Sequence, residues 1–360
     1  MPFRIALIPG DGIGPEVVAQ GIRVLQAVTA ATGSRLDFVS YDLGAERYLR
    51  TGEIIPDSVF GELAEVDAIY LGAVGDPRVE NPQYAAGLLL RLRFDLDLWV
   101  NLRPSRLLAP GLTPLRDAAS IDLVVVRENT EGAYVGIGGQ FKRGTPDEIA
   151  IQEDVNTRKG VERIQRYAFE QARQRRVAGH PGRVTMVDKS NALYHAHDLW
   201  QRVFKLERER TPEIEAEHLF VDAAAMQLVK DPGRFDVVVT SNMFGDILSD
   251  LASELVGGLG QAPSANLNPD TRRGLFEPVH GSAPKHAGKG IANPVGAILA
   301  GAMMLRHLGD NTGAVQIEEA VRSAAGDRRT TKDLGGTLST TAAADAVLER
   351  LERIGSSRPS

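Results

Sequence analysis

The chain has 360 residues, of which 43% are hydrophobic, and this is sufficient for two lobes with separate cores. Its formal net charge of −6 gives no support to nucleic-acid binding, and the absence of cysteine excludes disulfides, thiolate nucleophiles and cysteine-ligated zinc. The longest uncharged run, from Gly290 to Leu305, is shorter than the roughly 20 residues that span a bilayer, so we expect a soluble cytoplasmic protein without a membrane partner.

Apolar runs typical of strands alternate along the chain with amphipathic helical stretches. We predict strands at Ile5–Ile8, Leu36–Tyr41, Ala68–Leu71, Ile121–Val126, Val184–Asp188, His218–Asp222 and Phe235–Thr240. We predict helices at Pro15–Ala31, which has proline at its start, and at Ala342–Ile354. This alternation indicates an α/β fold with a mostly parallel sheet core.

The stretch Tyr134–Asn156 interrupts this rhythm. It is rich in glycine and polar residues and contains an alternating segment, Glu148–Gln152. We predict an excursion of the hairpin type that serves as an arm for a partner subunit.

Two glycine-rich turns follow predicted strands. Pro9–Glu16 has the spacing G-x-G-x-G-P and not the G-x-G-x-x-G of a dinucleotide-binding fingerprint, so we favour a tight strand-to-helix turn over a phosphate loop. The second turn, Leu71–Pro77, either flanks a ligand cleft or is a plain surface turn.

Asp246 and Asp250 follow the predicted strand Phe235–Thr240 and lie four residues apart, which places both carboxylates on one face of a helix. The carboxyl end of a strand is where α/β folds build their sites. The pair therefore indicates a cation site, while the alternative is two acidic residues that interact with the helix dipole.

Three arginines, Arg93, Arg103 and Arg127, lie at or near the ends of predicted elements. A guanidinium binds a carboxylate in two-pronged fashion, so the set suits a substrate with more than one carboxylate, and surface salt bridges are the alternative. Tyr134 and Lys189 add groups that can donate and accept a proton when a nearby cation lowers their pKa, although either residue alone is more often structural.

Several motifs resemble those of the β-decarboxylating dehydrogenases, which include isopropylmalate, isocitrate, homoisocitrate and tartrate/D-malate dehydrogenases. The resemblance extends from Ile5 to about Leu351 and is closest to isopropylmalate dehydrogenase. The motifs that carry it are Gly10–Glu16, Asn101–Pro104, Val126–Gly132, Asn242–Asp250 and Phe276–Pro284. The resemblance implies a two-lobed fold that is not a Rossmann fold, with a discontinuous cofactor-side domain at 1–98 and 257–360 and a central domain at 99–256 that carries the arm.

The resemblance also implies a role for each candidate residue. Arg93, Arg103 and Arg127 look like the clamp on the substrate carboxylates, Tyr134 like the acid and Lys189 like the base. Asp222, Asp246 and Asp250 look like ligands of Mg²⁺ or Mn²⁺, and the family draws the equivalents of Asp222 and Lys189 from the neighbouring subunit of a homodimer. The implied cofactor-binding residues are Gly72, Ala73, Val74, Gly75, Glu277, His280, Gly281, Ser282, Ala283, Pro284, Lys285, His286 and Asn293.

The segment before Arg93 distinguishes the substrates of this family. Leu89 and Leu90 align with leucines that hold an isopropyl group, whereas an isocitrate enzyme would have serine at position 87 and asparagine at position 89. We therefore expect 3-isopropylmalate as the substrate. Homoisocitrate, isocitrate and tartrate/D-malate remain alternatives, because Asn129–Gly132 is closer to the isocitrate and homoisocitrate enzymes and Arg91 adds a charge near the pocket.

Lys285 and His286 directly follow Pro284. At this position the NAD-dependent members of the family usually have an aspartate. A cation at this position suits the 2′-phosphate of NADP, whereas Asp333–Gly336 resembles the NAD-type enzymes. We expect NAD, with NADP as the alternative. A noncatalytic regulatory subunit is a second alternative, which the presence of the metal-type aspartates, Tyr134 and Lys189 disfavours.

Overall fold

The structure, a computed structural model, describes residues 2–81, 83–116 and 120–356. The chain forms two compact units. The second unit consists of Trp99–Ser105 and Ile121–Ala252, and the first consists of the other described residues. The stretches 106–120, where described, and 253–256 belong to the first unit, whereas the sequence grouped them with the central domain.

The strands of the described residues are, in chain order, β1 (Phe3–Gly10), β2 (Leu36–Ser40), β3 (Ala68–Ala73), β4 (Val100–Arg106), β5 (Asp122–Glu128), β6 (Gly138–Phe141), β7 (Ile149–Gln152), β8 (Arg183–Asp188), β9 (Glu215–Phe220), β10 (Val237–Thr240), β11 (Pro263–Asn268) and β12 (Arg273–Pro278). The α-helices are α1 (Gly14–Thr32), α2 (Ala45–Thr51), α3 (Asp57–Leu63), α4 (Gln83–Asp95), α5 (Arg158–Val177), α6 (Tyr194–Arg210), α7 (Val221–Lys230), α8 (Asn242–Val256), α9 (Val295–His307), α10 (Asn311–Gly326) and α11 (Thr340–Ser356).

In the first unit, β1 lies between β2 and β3 and is parallel to both. β12 is parallel to β3, and β11 is antiparallel to β12. The Tyr70 hydroxyl donates to the carbonyl of Ala297 at 2.6 Å, which joins β3 to α9 through the core. Gly10 lies opposite Ala73, so the glycine-rich turns after β1 and β3 meet at one edge of these strands.

In the second unit, β5, β10, β8 and β9 are parallel neighbours in that order. Thr240 at the end of β10 is in register with Arg127 on β5 and with Val187 on β8. The carboxyl ends of these strands therefore bring Arg127, the turn at Lys189 and the start of α8 to the same edge, as parallel strands do in α/β folds.

The predicted excursion is an antiparallel hairpin made of β6 and β7. The backbone N–H of Gly132 donates to the carbonyl of Val155 at 2.7 Å and closes its base. The side chains of Ile137, Phe141 and Ile151 are more than half exposed. A hairpin of this kind has little apolar contact of its own, and a partner subunit for this arm stays a prediction.

The prediction of an α/β fold with mostly parallel strands is confirmed. The secondary structure differs from the prediction in two respects. The predicted strand His218–Asp222 ends at Phe220, and Asp222 lies in the first turn of α7, because the alanine-rich sequence after it favours a helix. The sequence also gave no sign of β4, β11 and β12, whose polar residues hide the usual strand pattern. Among the described residues, no helix combines the length and the apolar character needed to cross a bilayer.

Candidate active site

The two aspartates of α8 lie beside one guanidinium. Nη1 of Arg103 donates to Oδ1 of Asp246 at 3.1 Å, to Oδ1 of Asp250 at 3.3 Å and to the hydroxyl of Ser249 at 2.8 Å. Arg103 itself lies on β4 and is buried. The spacing of one helical turn thus places both carboxylates on the same face, as predicted, and a buried cation offsets their mutual repulsion.

Arg127 contributes a second buried guanidinium to this group. Its Nε donates to Oδ1 of Asn242 at 2.9 Å, and its Nη1 contacts Oδ1 of Asp246. Asn242 in turn donates from Nδ2 to the carbonyl of Glu131 at 2.9 Å. A Cβ on Gly245 would lie 2.6 Å from the Cβ and Cγ atoms of Arg127, so α8 approaches this arginine only because position 245 has no side chain.

Tyr134 completes the group from a short turn at Ala133–Val135. Its hydroxyl donates to Oδ2 of Asp246 at 2.8 Å, and the Cζ atom of Arg127 lies 5.2 Å from the centre of its ring. One carboxylate of α8 therefore orients two arginines and a phenol. This arrangement combines cations for an acidic substrate with a hydroxyl that can transfer a proton.

Lys189 and Asp222 form a separate pair. The Nζ atom of Lys189 lies 2.8 Å from Oδ1 of Asp222, which is located in the first turn of α7. The hydrogen bond from Lys189 is the main reason why the pKa of Asp222 is lowered, and it outweighs the opposing effect of desolvation. The carboxylate is therefore ionised at neutral pH, as a metal ligand has to be.

The chemistry of these acids fits a hard divalent cation. Asp222, Asp246 and Asp250 offer carboxylate oxygens on side chains that are 63%, 36% and 48% exposed, so lone pairs remain accessible. Oxygen ligands suit Mg²⁺ or Mn²⁺. Within the described part of a single chain, however, no group of three or more His, Cys, Asp or Glu residues is arranged to hold a metal ion. A site that combines all three aspartates by using two copies stays a prediction.

Arg93 lies in the first unit, on α4. Its Nη2 donates to Oε1 of Glu277 at 3.1 Å, and Nδ2 of Asn266 donates to the same oxygen at 2.8 Å. All three side chains are buried. The structure thus fixes Arg93 and the predicted cofactor residue Glu277 together, and a role of Arg93 beside the other two arginines stays a prediction.

The leucines of helix α4 differ in their exposure to solvent. Leu88 and Leu92 are fully buried in a core cluster of the first unit. Leu89 and Leu90 are partly exposed. Leu89 also packs against that cluster, and contact of Leu89 and Leu90 with a substrate group stays a prediction.

Arg91 belongs to the surface of the first unit. Its guanidinium donates to Oδ1 of Asp57 at 2.6 Å and to the carbonyl of Ile55 at 2.5 Å, and it lies 5.0 Å from the ring centre of Phe60. These contacts are those of a structural salt bridge, so Arg91 gives little support to a longer acidic substrate.

The glycine-rich turn after β1 is held by hydrogen bonds within the protein. The Asp11 backbone N–H donates to the carbonyl of Ala73 at 2.6 Å, while its carboxylate accepts from the N–H of Gly75 at 2.8 Å and from the Tyr84 hydroxyl at 2.9 Å. Asp11 is buried, and its carboxylate holds the turn Gly72–Gly75 in place. The tight-turn interpretation is the one that these contacts support.

The same turn also contacts the second predicted cofactor segment. The N–H of Ile13 donates to the carbonyl of Ser282 at 2.8 Å. Gly12 has a φ of +57°, and a Cβ there would lie 2.0 Å from that carbonyl oxygen, so only glycine permits this approach. The turns at Gly72–Gly75 and Gly281–Pro284 are therefore connected through the loop that precedes α1.

The predicted cofactor residues at 280–293 differ in exposure. His280 is mostly buried, and burial lowers its pKa, while its Nδ1 lies 3.0 Å from the carbonyl oxygen of Gly281. Asn293 donates from Nδ2 to Asp333 at 2.8 Å and accepts from the N–H of Val295 at 3.0 Å. The segment therefore has fixed ends.

The middle of that segment faces solvent. Pro284, Lys285 and His286 are exposed, and Ala283 has the left-handed φ of +39°. Lys285 makes no ion pair with any residue that the structure describes. An exposed cation held on a turn with fixed ends is available to an anionic ligand.

Sequence reasoning missed Asn242, Gly245 and Ser249. Asn242 precedes Asp246 by the same four residues that separate Asp246 from Asp250, so the helical spacing could have identified it as a third member of that face. Gly245 and Ser249 left no signal that distinguishes them from ordinary helix residues.

The family of the chain follows from comparison with known proteins. The model of the isocitrate/isopropylmalate dehydrogenase family matches residues 4–347. The chain belongs to this family. The resemblance predicted from the motifs is thus confirmed, and the protein is an oxidoreductase of the isocitrate/isopropylmalate dehydrogenase type.

Named relatives agree with this assignment. The chain is 50% identical to a 3-isopropylmalate dehydrogenase of Thermobifida fusca over 355 residues, which are 98% of each chain. It is 48% identical to a 3-isopropylmalate dehydrogenase of Corynebacterium glutamicum over 352 residues, which cover 97% of this chain and 100% of the relative.

Solved structures of the family share the fold. An isocitrate dehydrogenase of Methylococcus capsulatus is 39% identical with a TM-score of 0.86, over 97% of this chain and 99% of that chain. A β-decarboxylating dehydrogenase of Thermococcus kodakarensis is 38% identical with a TM-score of 0.81, over 99% of this chain and 100% of that chain. The prediction of a family fold distinct from the Rossmann fold is confirmed.

Proposed function

We propose that the protein oxidises and decarboxylates 3-isopropylmalate to 4-methyl-2-oxopentanoate and CO₂, a step of leucine biosynthesis, with a nicotinamide cofactor and Mg²⁺ or Mn²⁺. The observation that carries the proposal is the group formed by Arg103, Arg127, Tyr134 and Asp246 in a chain of this family. Its members supply anion binding, a proton donor and a carboxylate suited to a metal ion, and the first three residues each contact Asp246. The absence of cysteine is consistent with a reducing compartment such as the cytoplasm.

The arginines bind and orient the acid. As the family resemblance implies, Arg93, Arg103 and Arg127 bind the carboxylates of a malate core by bidentate hydrogen bonds. Burial of Arg103 and Arg127 strengthens these bonds, because little solvent screens them. The substrate is thereby held with its hydroxyl-bearing carbon in a defined orientation.

Lys189 and Tyr134 move the protons. Lys189, in its neutral amine form, takes the proton of the 2-hydroxyl group as the hydride leaves, and Tyr134 returns a proton to the enolate carbon after the β-carboxylate departs as CO₂. When bound, the divalent metal polarises the hydroxyl oxygen and stabilises the enolate, and the nicotinamide accepts the hydride. The ion pair of Lys189 with Asp222 keeps the amine beside a predicted metal ligand.

The apolar side of α4 favours an isopropyl group. Leu89 and Leu90 are partly exposed, and burial of an isopropyl group against them is worth roughly 2 kcal/mol. A third carboxylate would lose hydration there without gaining a partner. A Cβ on Gly87 would lie 2.8 Å from Cδ1 of Ile54, so the serine that an isocitrate enzyme has at this position would require that side chain to move.

Glu131, which makes the motif similar to isocitrate and homoisocitrate enzymes, has a structural role here. Its carboxylate accepts the N–H of Thr157 at 2.8 Å, at the start of α5, and also contacts the Thr157 hydroxyl. A Cβ on Gly160 would lie 2.4 Å from this carboxylate, so the helix is shaped around it. The residue therefore gives no particular support to a longer acid as the substrate.

We propose that the active unit is a homodimer with shared sites. Asp222 lies on the face of α7 that also carries Met226 and Val229, at spacings of four and seven residues, and both are exposed. Met243 and Ile247, one turn apart on α8 and close to Asp246 in sequence, are exposed as well. Apolar faces next to metal-type aspartates are expected where a second copy completes the site.

We propose NAD as the cofactor, with NADP as the alternative that Lys285 favours. The turns at Gly72–Gly75 and Gly281–Asn293 are connected through the β1–α1 loop, which supports a single cofactor site in the first unit. Lys285 is exposed there and positively charged, which suits a 2′-phosphate.

A substrate panel tests the proposal. Purified protein with Mg²⁺ or Mn²⁺ is assayed for reduction of NAD and of NADP with 3-isopropylmalate, isocitrate, homoisocitrate, D-malate and tartrate. We expect the highest kcat/KM with 3-isopropylmalate and loss of turnover with a chelator, restored by the metal. A higher kcat/KM with another acid would identify that acid as the substrate in place of 3-isopropylmalate. If no acid gives metal-dependent turnover, the result would favour a noncatalytic subunit.

A further inference from the structure

We propose that His197 is a positioning residue for Lys189. The inference rests on the proposed function, in which Lys189 is the base, and it concerns a residue outside the motifs that carry the family resemblance. His197 lies in the first turn of α6, is 1% exposed, and accepts the backbone N–H of Lys189 on its Nδ1 at 2.8 Å.

The hydrogen bond fixes the state of the ring. A backbone N–H can only donate, so Nδ1 of His197 carries no proton and the proton of the neutral ring lies on Nε2. Nε2 faces Oδ2 of Asp154 at 3.7 Å, and the edge of the ring packs against Phe244 on α8 with 5.6 Å between ring centres. The distance to Asp154 is too long for a hydrogen bond, so the bond to the Lys189 N–H and the packing against Phe244 hold the ring.

Through this bond, the ring holds the turn that presents the lysine. The carbonyl of Lys189 accepts the N–H groups of Ala192 and Leu193 at 2.9 and 2.8 Å, and the N–H of Ser190 donates to Oδ1 of Asp188 at 3.0 Å. With His197 on its N–H, the backbone of Lys189 is bound on both sides. The start of a long flexible side chain is thereby fixed, and its Nζ reaches Asp222 at 2.8 Å.

Helix α6, which carries this histidine, also connects to the base of the arm. Asp154, which follows β7, accepts Nδ2 of Asn156 at 2.9 Å, and Oδ1 of Asn156 accepts the indole N–H of Trp200 at 2.8 Å. Trp200 lies on α6, three residues after His197. The arm and the lysine turn are therefore attached to the same two turns of α6, and a change at His197 reaches Lys189 directly.

Substitutions at position 197 test the proposal. His197→Leu removes the acceptor with little change in volume, whereas His197→Asn offers a carbonyl oxygen close to the place of Nδ1. Trp200→Phe is the matched control, because it removes the bond to Asn156 and leaves the Lys189 contact. The readouts are kcat and KM with whichever acid the wild type turns over, the midpoint of thermal unfolding, and hydrogen exchange at the Lys189 amide.

We expect His197→Leu to lower kcat by about 10-fold to 100-fold with KM values changed by less than about threefold, because orientation is lost and not binding. His197→Asn is expected to recover most of kcat and to keep the Lys189 amide protected. Trp200→Phe is expected to lower the melting temperature but not kcat.

A folded His197→Leu protein with the kcat of the wild type would overturn the proposal. A His197→Asn protein whose kcat is no higher than that of His197→Leu would overturn it as well. If His197→Leu does not fold, His197→Gln takes its place, because its longer amide misses the position of Nδ1. The exchange measurement needs no substrate. A wrong substrate assignment would therefore leave this test intact, and an unprotected Lys189 amide in the wild type would reject the positioning role alone.

Discussion

The Nζ atom of Lys189 and Oδ1 of Asp222 lie 2.8 Å apart, so the proposed base and one proposed metal ligand form an ion pair within a single chain. The other two proposed ligands, Asp246 and Asp250, are bound by Arg103. Each copy of the chain thus contains two preformed groups. We infer that dimerisation places the Lys189–Asp222 pair of one copy beside the Asp246–Asp250 group of the other copy.

The preference between the two cofactors is expected to depend on Lys285. Lys285→Asp replaces an exposed cation with the acid that NAD enzymes of the family carry, and its charge repels a 2′-phosphate. We expect kcat/KM with NADP to fall by about tenfold or more and kcat/KM with NAD to change much less. Lys205→Asp, the same charge change on the exposed side of α6, is the control. Equal effects on both cofactors would reject this role.

Neighbouring leucines of α4 are expected to respond differently. Leu90→Ala removes a partly exposed side chain that is proposed to contact the isopropyl group, and it should lower kcat/KM for 3-isopropylmalate roughly 10-fold to 200-fold, with little effect on D-malate. Leu88→Ala creates a cavity in the core and should lower the free energy of unfolding by roughly 2–5 kcal/mol at unchanged specificity. Steady-state kinetics and urea denaturation distinguish the two. A Leu90→Ala enzyme with unaltered specificity would remove this side of α4 from the substrate pocket.

Gly245 is expected to be essential for the position of Arg127. In Gly245→Ala the new Cβ would lie 2.6 Å from two side-chain carbons of a fully buried arginine, so the helix or the arginine has to move. We expect a higher KM for the acid and a loss of stability of about 1–3 kcal/mol.

Gly61→Ala, in helix α3, serves as the comparison for that substitution. A Cβ at Gly61 meets no described atom within 4 Å, and alanine in a helix should leave activity unchanged and stabilise the fold by about 0.5–1 kcal/mol. Kinetics and melting curves that do not differ between the two variants would show that the contact at Arg127 is tolerated.

Glu128 is expected to make stability depend on pH. Burial, reinforced by the charge of Glu131, raises the pKa of Glu128 from 4.5 to about 7 despite hydrogen bonds from Thr130. Between these two pKa values the folded state binds more protons than the unfolded state, so the free energy of unfolding falls as pH rises, by about 3 kcal/mol in total.

Glu128→Gln removes this titration and keeps the shape of the side chain. Urea unfolding at pH 5 and pH 8 measures the effect as the difference between wild type and variant, which cancels the contribution of other acids. If the difference in free energy of unfolding between wild type and variant is the same at pH 5 and pH 8, the expected pKa shift of Glu128 is wrong.

The sequence predicted the parts of the fold that depend on local patterns. Apolar runs identified β1, β3, β8 and β10 because buried parallel strands carry few polar residues, and the spacing of Asp246 and Asp250 predicted their common face. β4 was not predicted because Asn101 and Arg103 interrupt its apolar run, although both are buried in the folded chain.

Long-range contacts could not be predicted from the sequence. The carboxylate of Asp11 binds Gly75 and Tyr84, 64 and 73 residues away, and His197 binds a backbone N–H for which no motif exists. Such bonds depend on where elements meet in space, and only the family resemblance could indicate which residues cooperate.

The most direct test of the shared site is complementation between two inactive variants. Asp222→Asn and Asp250→Asn proteins are each expected to lose most turnover of 3-isopropylmalate. In a mixed dimer, one site has both defects and the other has neither. Random pairing of co-expressed chains should therefore restore about one quarter of wild-type activity. Recovery at that level would support a site built from two copies, whereas a mixture no more active than either variant alone would contradict it.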